Sequence, residues 1–168
     1  MNINIKISKK VFNDVYLPYL DNSDRYLVFY GGGSSGKSYF IAQRWIYMLI
    51  HPSRCNLLVT RQTGDTNRKS TFPLLKQVIS HWNLSQHFKV NESDMRIKCL
   101  LTGNEVAFAG LDDVEKIKSI TFENGNTIED VTFVIRIISS AILILKSNGL
   151  LPNLAFINLV VLSNNSFV

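Results

Sequence analysis

The residues with the clearest chemical purpose are Gly31-Gly32-Gly33-Ser34-Ser35-Gly36-Lys37-Ser38. They match G-x-x-x-x-G-K-[ST] at every fixed position. Glycines permit positive φ angles, so successive backbone N–H groups can turn inward around phosphate oxygens. A helix opening near Lys37 aims its N-terminus, roughly half a positive charge, at the same anion. Lys37 is the catalytic candidate, placed to reach the β- and γ-phosphates of a nucleotide. The Ser38 hydroxyl is the candidate ligand for Mg²⁺. A glycine-rich turn that binds nothing is the competing explanation; the strand before the motif and the helix after it argue against that.

Hydrolysis needs more than a phosphate cradle. P-loop ATPases add a carboxylate at the end of a second buried strand, which holds Mg²⁺. The nearest match, Val106 to Asp113, is interrupted by Gly110-Leu111 and preceded by a hairpin. Ile128-Glu129-Asp130 has little strand before it, and the apolar runs Thr132 to Ile138 and Ala141 to Leu145 end in Ser139 and Lys146. No acidic partner is identified. Asp112 and Asp113 suit helix capping better than metal binding. His51, His81 and His87 follow no ligand or triad spacing. Trp45 and Trp82 sit on apolar faces and read as core. Tyr16 and Tyr19 could stack on adenine, but packing is the simpler role.

The elements that must position the motif follow from periodicity. Tyr26 to Tyr30 is an aromatic and β-branched run, read as a buried strand. Lys37 to Ile50 holds no Gly or Pro, and Ile41, Trp45 and Leu49 fall four apart, which predicts a helix covered on most sides. His51-Pro52-Ser53 stops it. Asn56 to Thr60 is a second buried strand, Arg61 to Ser70 a polar loop. A helix follows with Phe72, Leu75, Val78, Ile79 and Trp82 on one face and Pro73 in its first turn. Alternation at Met95, Ile97 and Cys99, a turn at Thr102-Gly103-Asn104, and alternation at Val106 and Phe108 predict an antiparallel hairpin near 95–109 with one wet face. A short helix carrying Val114 and Ile117 comes next. The expected fold class is α/β: a P-loop NTPase parallel sheet with flanking helices, incomplete, plus the hairpin.

Composition bounds the rest. The chain has 168 residues with Lys+Arg 18 against Asp+Glu 13, net charge +5, and 46% hydrophobic residues. Disordered and low-complexity classes are excluded. The two cysteines, Cys55 and Cys99, form no CxxC, which points away from a disulfide scaffold and toward a reducing cytoplasm. MNINIKISKK has no apolar core and does not read as a secretory signal. The cations are scattered rather than striped, so charge alone argues weakly for DNA. All 13 acidic residues lie at or before Asp130, whereas residues 131–168 hold only Arg136 and Lys146 among charged side chains. The 15 residues from Val131 to Leu145 fall short of the roughly 20 that span a bilayer, so no membrane segment is expected.

Four stretches together resemble the N-terminal ATPase region of phage terminase large subunits, of the PBSX-like kind. They are Val15 to Gln43, Leu58 to Thr63, Arg68 to Phe72, and Val106 to Gly125, the last similar to the family's GLDD-x-EKIKSI segment. The resemblance implies ATP and Mg²⁺ as cofactors, and DNA translocation into procapsids as the work of the intact protein. It also implies double-stranded phage DNA, a terminase small subunit and a portal as partners, in the cytoplasm of a bacterial host. Arg61, on the arginine-bearing loop, becomes a second catalytic candidate for sensing phosphate; a solvated loop cation is its other reading. The family's RNase H-type nuclease domain has no counterpart here. A nucleotide-binding remnant without turnover, or an unrelated P-loop enzyme, are the alternatives.

The resemblance covers 1–126 as a partial ATPase domain and leaves 127–168 as a divergent apolar tail. In the family an apolar strand ending in two acids soon follows the GLDD-type segment. Here the text changes where the carboxylates stop, which suggests a disrupted reading frame near Asn126 to Asp130. Reading the gene in its other frames beyond that point is expected to restore an acidic strand and further motor sequence. Absence of such text in every frame refutes this.

Overall fold

Tyr26–Phe29 forms strand β1 in the computed structural model, with Leu27 and Phe29 turned into the core and Val28 exposed. The structure describes residues 5–22, 24, 26–32, 34–52, 56–113, 115, 117, 119–123, 128–133 and 142–146. Helix α1 (Lys37–Ile50) follows the glycine-rich loop, then strand β2 (Asn56–Arg61). A single turn, α2 (Gly64–Thr66), runs into a π-helical stretch (Asn67–Thr71) and then α3 (Phe72–His81). Strands β3 (Phe88–Asn91), β4 (Arg96–Cys99), β5 (Glu105–Gly110), β6 (Ile128–Phe133) and β7 (Ile142–Lys146) complete an α/β arrangement.

The seven strands form one sheet in the order β1-β7-β6-β2-β5-β4-β3. The sheet is mixed, which corrects the parallel sheet expected from the sequence. β2 pairs in parallel with both β5 and β6, but β7 is antiparallel to β1 and β6, and β3, β4 and β5 form an antiparallel meander. The reason lies in the hairpin. Its second strand, β5, is also the parallel neighbour of β2, so one strand serves both patterns. Of the expected apolar tail, residues 128–133 and 142–146 lie within the sheet.

Helix α1 buries Phe40, Ile41, Ala42, Trp45, Ile46 and Leu49 against the sheet and α3. Phe72, Leu75, Val78 and Ile79 of α3 complete that layer. On the opposite face, Leu58, Ala107 and Ala109 are covered by Ile117 and Phe122. The helical face of α1 was legible in sequence, but the burial of Gln43 and Arg44 on it was not. A buried guanidinium costs several kcal/mol unless its donors find acceptors. Arg44 donates to the carbonyls of Tyr19, Leu20 and Asn22, and Gln43 Nε2 to that of Val11 at 2.8 Å. These bonds lash residues 9–22, including 3₁₀ turns at Lys9–Val11 and Leu17–Tyr19, to α1.

Three further expectations change. The polar stretch 61–70 is helical over most of its length rather than a loop, because Thr63 caps it and its polar side chains bond backbone instead of packing. Trp82 lies one residue past α3, whose last residue is His81, and packs edge-on against Phe12 at 5.6 Å. β3 is an added strand beside the anticipated hairpin.

The C-terminus of α1, where the His51 amide bonds Met48 O and Tyr47 O, is further closed by the hairpin turn. Asn104 Nδ2 donates to Leu49 O and His51 O at 3.1 Å, and Thr102 Oγ1 to Leu49 O at 2.6 Å. Replacing Asn104 removes the bond to His51 O and one of the two to Leu49 O, at about 0.5–1.5 kcal/mol each. Asn104→Ala is expected to lower the denaturant midpoint accordingly with an unchanged m-value. A midpoint equal to that of the parent chain would refute this capping role.

Candidate nucleotide-binding site

β1 ends at Phe29 and α1 begins at Lys37, and the chain between them turns back over the helix N-terminus. Gly31 and Gly36 adopt φ of 141° and 83°, values that disfavour any side chain, and Gly36 is the left-handed N-cap of α1. Ser34 also takes a positive φ, 62°. Phe40 N donates to Gly36 O at 2.9 Å, starting the helix directly behind the loop. Gly33 lies outside the described residues.

Lys37 is 5% exposed, and its ammonium is held by the loop itself. Nζ donates to Gly31 O at 2.9 Å, Gly32 O at 2.8 Å and Ser35 Oγ at 2.9 Å. None of these acceptors is a carboxylate. A sequestered cation compensated only by dipoles is one that an incoming anion can still pair with. Gly32, Ser34, Ser35, Gly36 and Ser38 are exposed around it. The Ser38 hydroxyl stands on the first turn of α1, where the helix dipole favours anions. The structure therefore brings Gly31, Gly32, Ser34, Ser35, Gly36, Lys37 and Ser38 together as one polar cradle.

Strand directions decide what else can reach it. β1, β6, β2 and β5 run the same way, so their carboxyl ends share one edge of the sheet. Arg61 ends β2 and lies on that edge, three strands from β1, or about 14 Å at the usual interstrand spacing. It is turned to its own helix instead: NH1 donates to Thr66 O at 3.5 Å and contacts Ser70 Oγ. Arg61 is not brought onto the loop. Arg68 donates to Glu92 O at 3.0 Å, and Lys69 pairs with Asp65 at 2.7 Å. That exposed pair, by hydrogen bond and charge, lowers the Asp65 pKa and raises that of Lys69.

The acidic candidates are placed elsewhere. Asp112 and Asp113 follow β5, four strands from β1, and Asp113 O accepts the amide of Ile117 at 3.3 Å, opening a helical turn. Asp130 pairs with Leu57 near the start of β2, so Glu129 and Asp130 lie at the amino end of β6, on the edge away from the loop. Among the described residues, no three His, Cys, Asp or Glu side chains cluster as a metal site.

A second concavity of about 400 Å³ lies over the hairpin, lined by Lys89, Arg96, Lys98, Glu105 and Glu123 among others. Its charges already meet one another. Glu105 sits 3.3 Å from Arg96 and 3.4 Å from Lys98, and Lys98 contacts Glu123 at 2.6 Å. The Glu123 bond holds the Lys98 pKa up, and Lys98 in turn holds that of Glu123 down.

Two features at the site escaped the sequence reading. Tyr16 packs, the simpler role expected of it, with its ring stacked on Phe40 at 4.9 Å, but the bond its hydroxyl donates to Ser35 O at 2.9 Å was not foreseen. Asn67 Nδ2 bridges the ends of β2 and β5, donating to Val59 O at 3.3 Å and Ala109 O at 2.8 Å. The only cue for Asn67 was a polar residue spaced to follow a Thr63 cap.

A family model described as phage terminase large subunit matches residues 23–136. The chain is 39% identical over 90 residues to the large subunit of terminase from Bacillus phage SPP1, covering 54% of this chain and 21% of that protein. It is 31% identical over 112 residues to the PBSX phage terminase large subunit of Bacillus subtilis strain 168, covering 66% of this chain and 25% of that one. The chain thus spans a quarter or less of the length of these relatives.

Glycine positions along the shared edge separate packing from binding. A Cβ on Gly110 would lie 2.3 Å from Gly64 N and 2.9 Å from Thr63 C, both backbone atoms, whereas one on Gly32 meets nothing within 4 Å. Gly110→Ala is expected to destabilise by about 1–3 kcal/mol, the usual cost of overpacking. Gly32→Ala is expected to leave the unfolding midpoint in place. Equal midpoints for the two variants in thermal or denaturant unfolding would contradict this arrangement of β5 against α2.

Proposed function

Since this chain belongs to the phage terminase large subunit family, we propose that it is the ATP-binding part of a DNA-packaging motor. In the intact protein, ATP hydrolysis would be coupled to moving double-stranded phage DNA into a procapsid. The observation that carries this reading is the loop between β1 and α1, where a buried lysine is held by two carbonyls and a hydroxyl, none of them a carboxylate, at a helix N-terminus. Those residues suit a nucleoside triphosphate with Mg²⁺. Lys37 would pair with the β- and γ-phosphates, the loop amides would cradle them, and Ser38 would ligate the metal. Bound Mg-ATP supplies the phosphoanhydride whose cleavage powers translocation. The loop residues bind and orient it, and Lys37 keeps its charge at the phosphates rather than in solvent.

A second reading, nucleotide binding without turnover, is favoured by the strand register. Among the described residues, the strand beside β1 on the loop's edge brings no carboxylate there. That neighbour is β7, which starts at Ile142 opposite Phe29. Glu129 and Asp130 lie on the far edge. A change of reading frame near residues 126–130 belongs to this reading: the carboxylates cease at Asp130, although the family match runs on to residue 136. Phage DNA, a small subunit and a portal are the partners this reading names, in a bacterial host cytoplasm. Among the described residues, no helix is long and apolar enough to cross a membrane.

Mg-ATP binding and phosphate release by the purified chain, measured beside Lys37→Ala, test both readings. Binding that Lys37→Ala weakens at least tenfold is the expected outcome. Turnover lost in Lys37→Ala would overturn the second reading, and binding without turnover would support it. No binding by the parent chain would overturn the first.

A further inference from the structure

Tyr16 touches all three parts of the nucleotide loop's frame. Its ring stacks on Phe40, in the first turn of α1, with centroids 4.9 Å apart and planes 16° from parallel. It meets Phe29, the last residue of β1, edge-on at 6.1 Å. Its Cε2 lies 3.8 Å from where a Cβ on Gly36 would stand, and its hydroxyl donates to Ser35 O at 2.9 Å. The tyrosine is itself anchored. Gln43 and Arg44 of α1 hold the backbone on either side of it, at Val11 and at Tyr19, Leu20 and Asn22.

We propose that Tyr16 is a positioning residue for the phosphate cradle, acting through the peptide that joins Ser35 to Gly36. A trans peptide is planar, with its C=O and N–H pointing in opposite directions. No cis peptide is present among the described residues. Fixing Ser35 O toward the Tyr16 hydroxyl therefore turns the Gly36 N–H away from the aromatic cluster and keeps it available to an anion. Gly36, in the left-handed region, is the residue whose backbone would otherwise have most freedom to rotate. The bond also steadies Ser35, whose Oγ accepts from Lys37 Nζ at 2.9 Å. Tyr16 thus orders an anion-binding peptide before the ligand arrives, and affinity gains from the motion already removed. This inference rests on the nucleotide reading above for its ligand, a nucleoside triphosphate, but not for its structural content.

Tyr16→Phe keeps both ring contacts and removes only the donor. In the full chain without nucleotide, the NMR order parameters of the Ser35, Gly36 and Lys37 amides are expected to fall below their parent values, while those of α3 stay unchanged. Mg-ATP affinity should fall about fivefold, the change that loss of one neutral hydrogen bond produces. Tyr39→Phe, which loses a hydroxyl bond to His81 Nδ1 on α3, serves as the control and should leave the loop order parameters at parent values. Parent-like loop order parameters in Tyr16→Phe, or the same fall in Tyr39→Phe, would overturn the proposal. Loss of the nucleotide reading would instead appear as a parent chain that binds no Mg-ATP, with the order parameters still deciding the role of Tyr16.

Discussion

The structure turns on a buried ammonium group with no carboxylate to neutralise it. Lys37 is held by two loop carbonyls and a hydroxyl, so the loop must bend its backbone inward and keep that bend. Only a left-handed Gly36 lets the bend run straight into α1. Only a helix buried on nearly every side holds its N-terminus still enough to serve as the floor. That accounts for a feature no periodicity argument requires: Gln43 and Arg44 are buried on α1 and spend their donors on the carbonyls of residues 11–22. The wrapping segment then delivers Tyr16 to the outer side of the loop. The bonds of Gln43 and Arg44 therefore tie residues 11–22 to the helix whose N-terminus floors the loop.

Strand direction is the second constraint, and it separates residues that linear spacing appears to unite. Parallel β2, β5 and β6 send their carboxyl ends to the loop's edge, the edge where α/β sheets generally bind ligands. Position along that edge matters as much as the edge itself. Arg61 and Asp112 have the correct edge but lie three and four strands from β1. Glu129 and Asp130 belong to β6, which runs in the same direction, but occupy its amino end. An acid works on a bound metal at contact distance, so a displacement of one strand's length removes it from the chemistry.

What was legible in the sequence was local. The glycine loop, α1, the core face of α3 and the hairpin each carry their signal within fifteen residues, through backbone freedom or a period of 3.6 or 2. Pro73 sits in the first turn of α3 directly after the π-helical stretch Asn67–Thr71, where the helix has already left the regular i→i−4 pattern. What escaped was long-range. Neither the insertion of β7 between β1 and β6 nor the pairing of β5 with β2 leaves a mark on any short window. Helicity in 61–71 escaped for a different reason. Its side chains bond backbone, as Asn67 does to Val59 O and Ala109 O, so no apolar stripe reveals it. Arg44 escaped because a buried cation satisfied by carbonyls looks, in a linear text, like a solvated one.

The same logic separates the loop's own contacts from the sheet that carries it. The hydrogen bonds and ring contacts described at the cradle, from Tyr16 through Phe40, join residues 11–44. The strand that leads into the loop, β1, is paired with β7 at residues 142–146. The two strands nearest β1, by contrast, are β7 and β6, formed by residues 142–146 and 128–133. Those lie across the point where carboxylates cease in the sequence and largely at the limit of the family match. The side-chain contacts of the loop and the strands that flank β1 are therefore encoded in separate parts of the chain, joined where β1 pairs with β7.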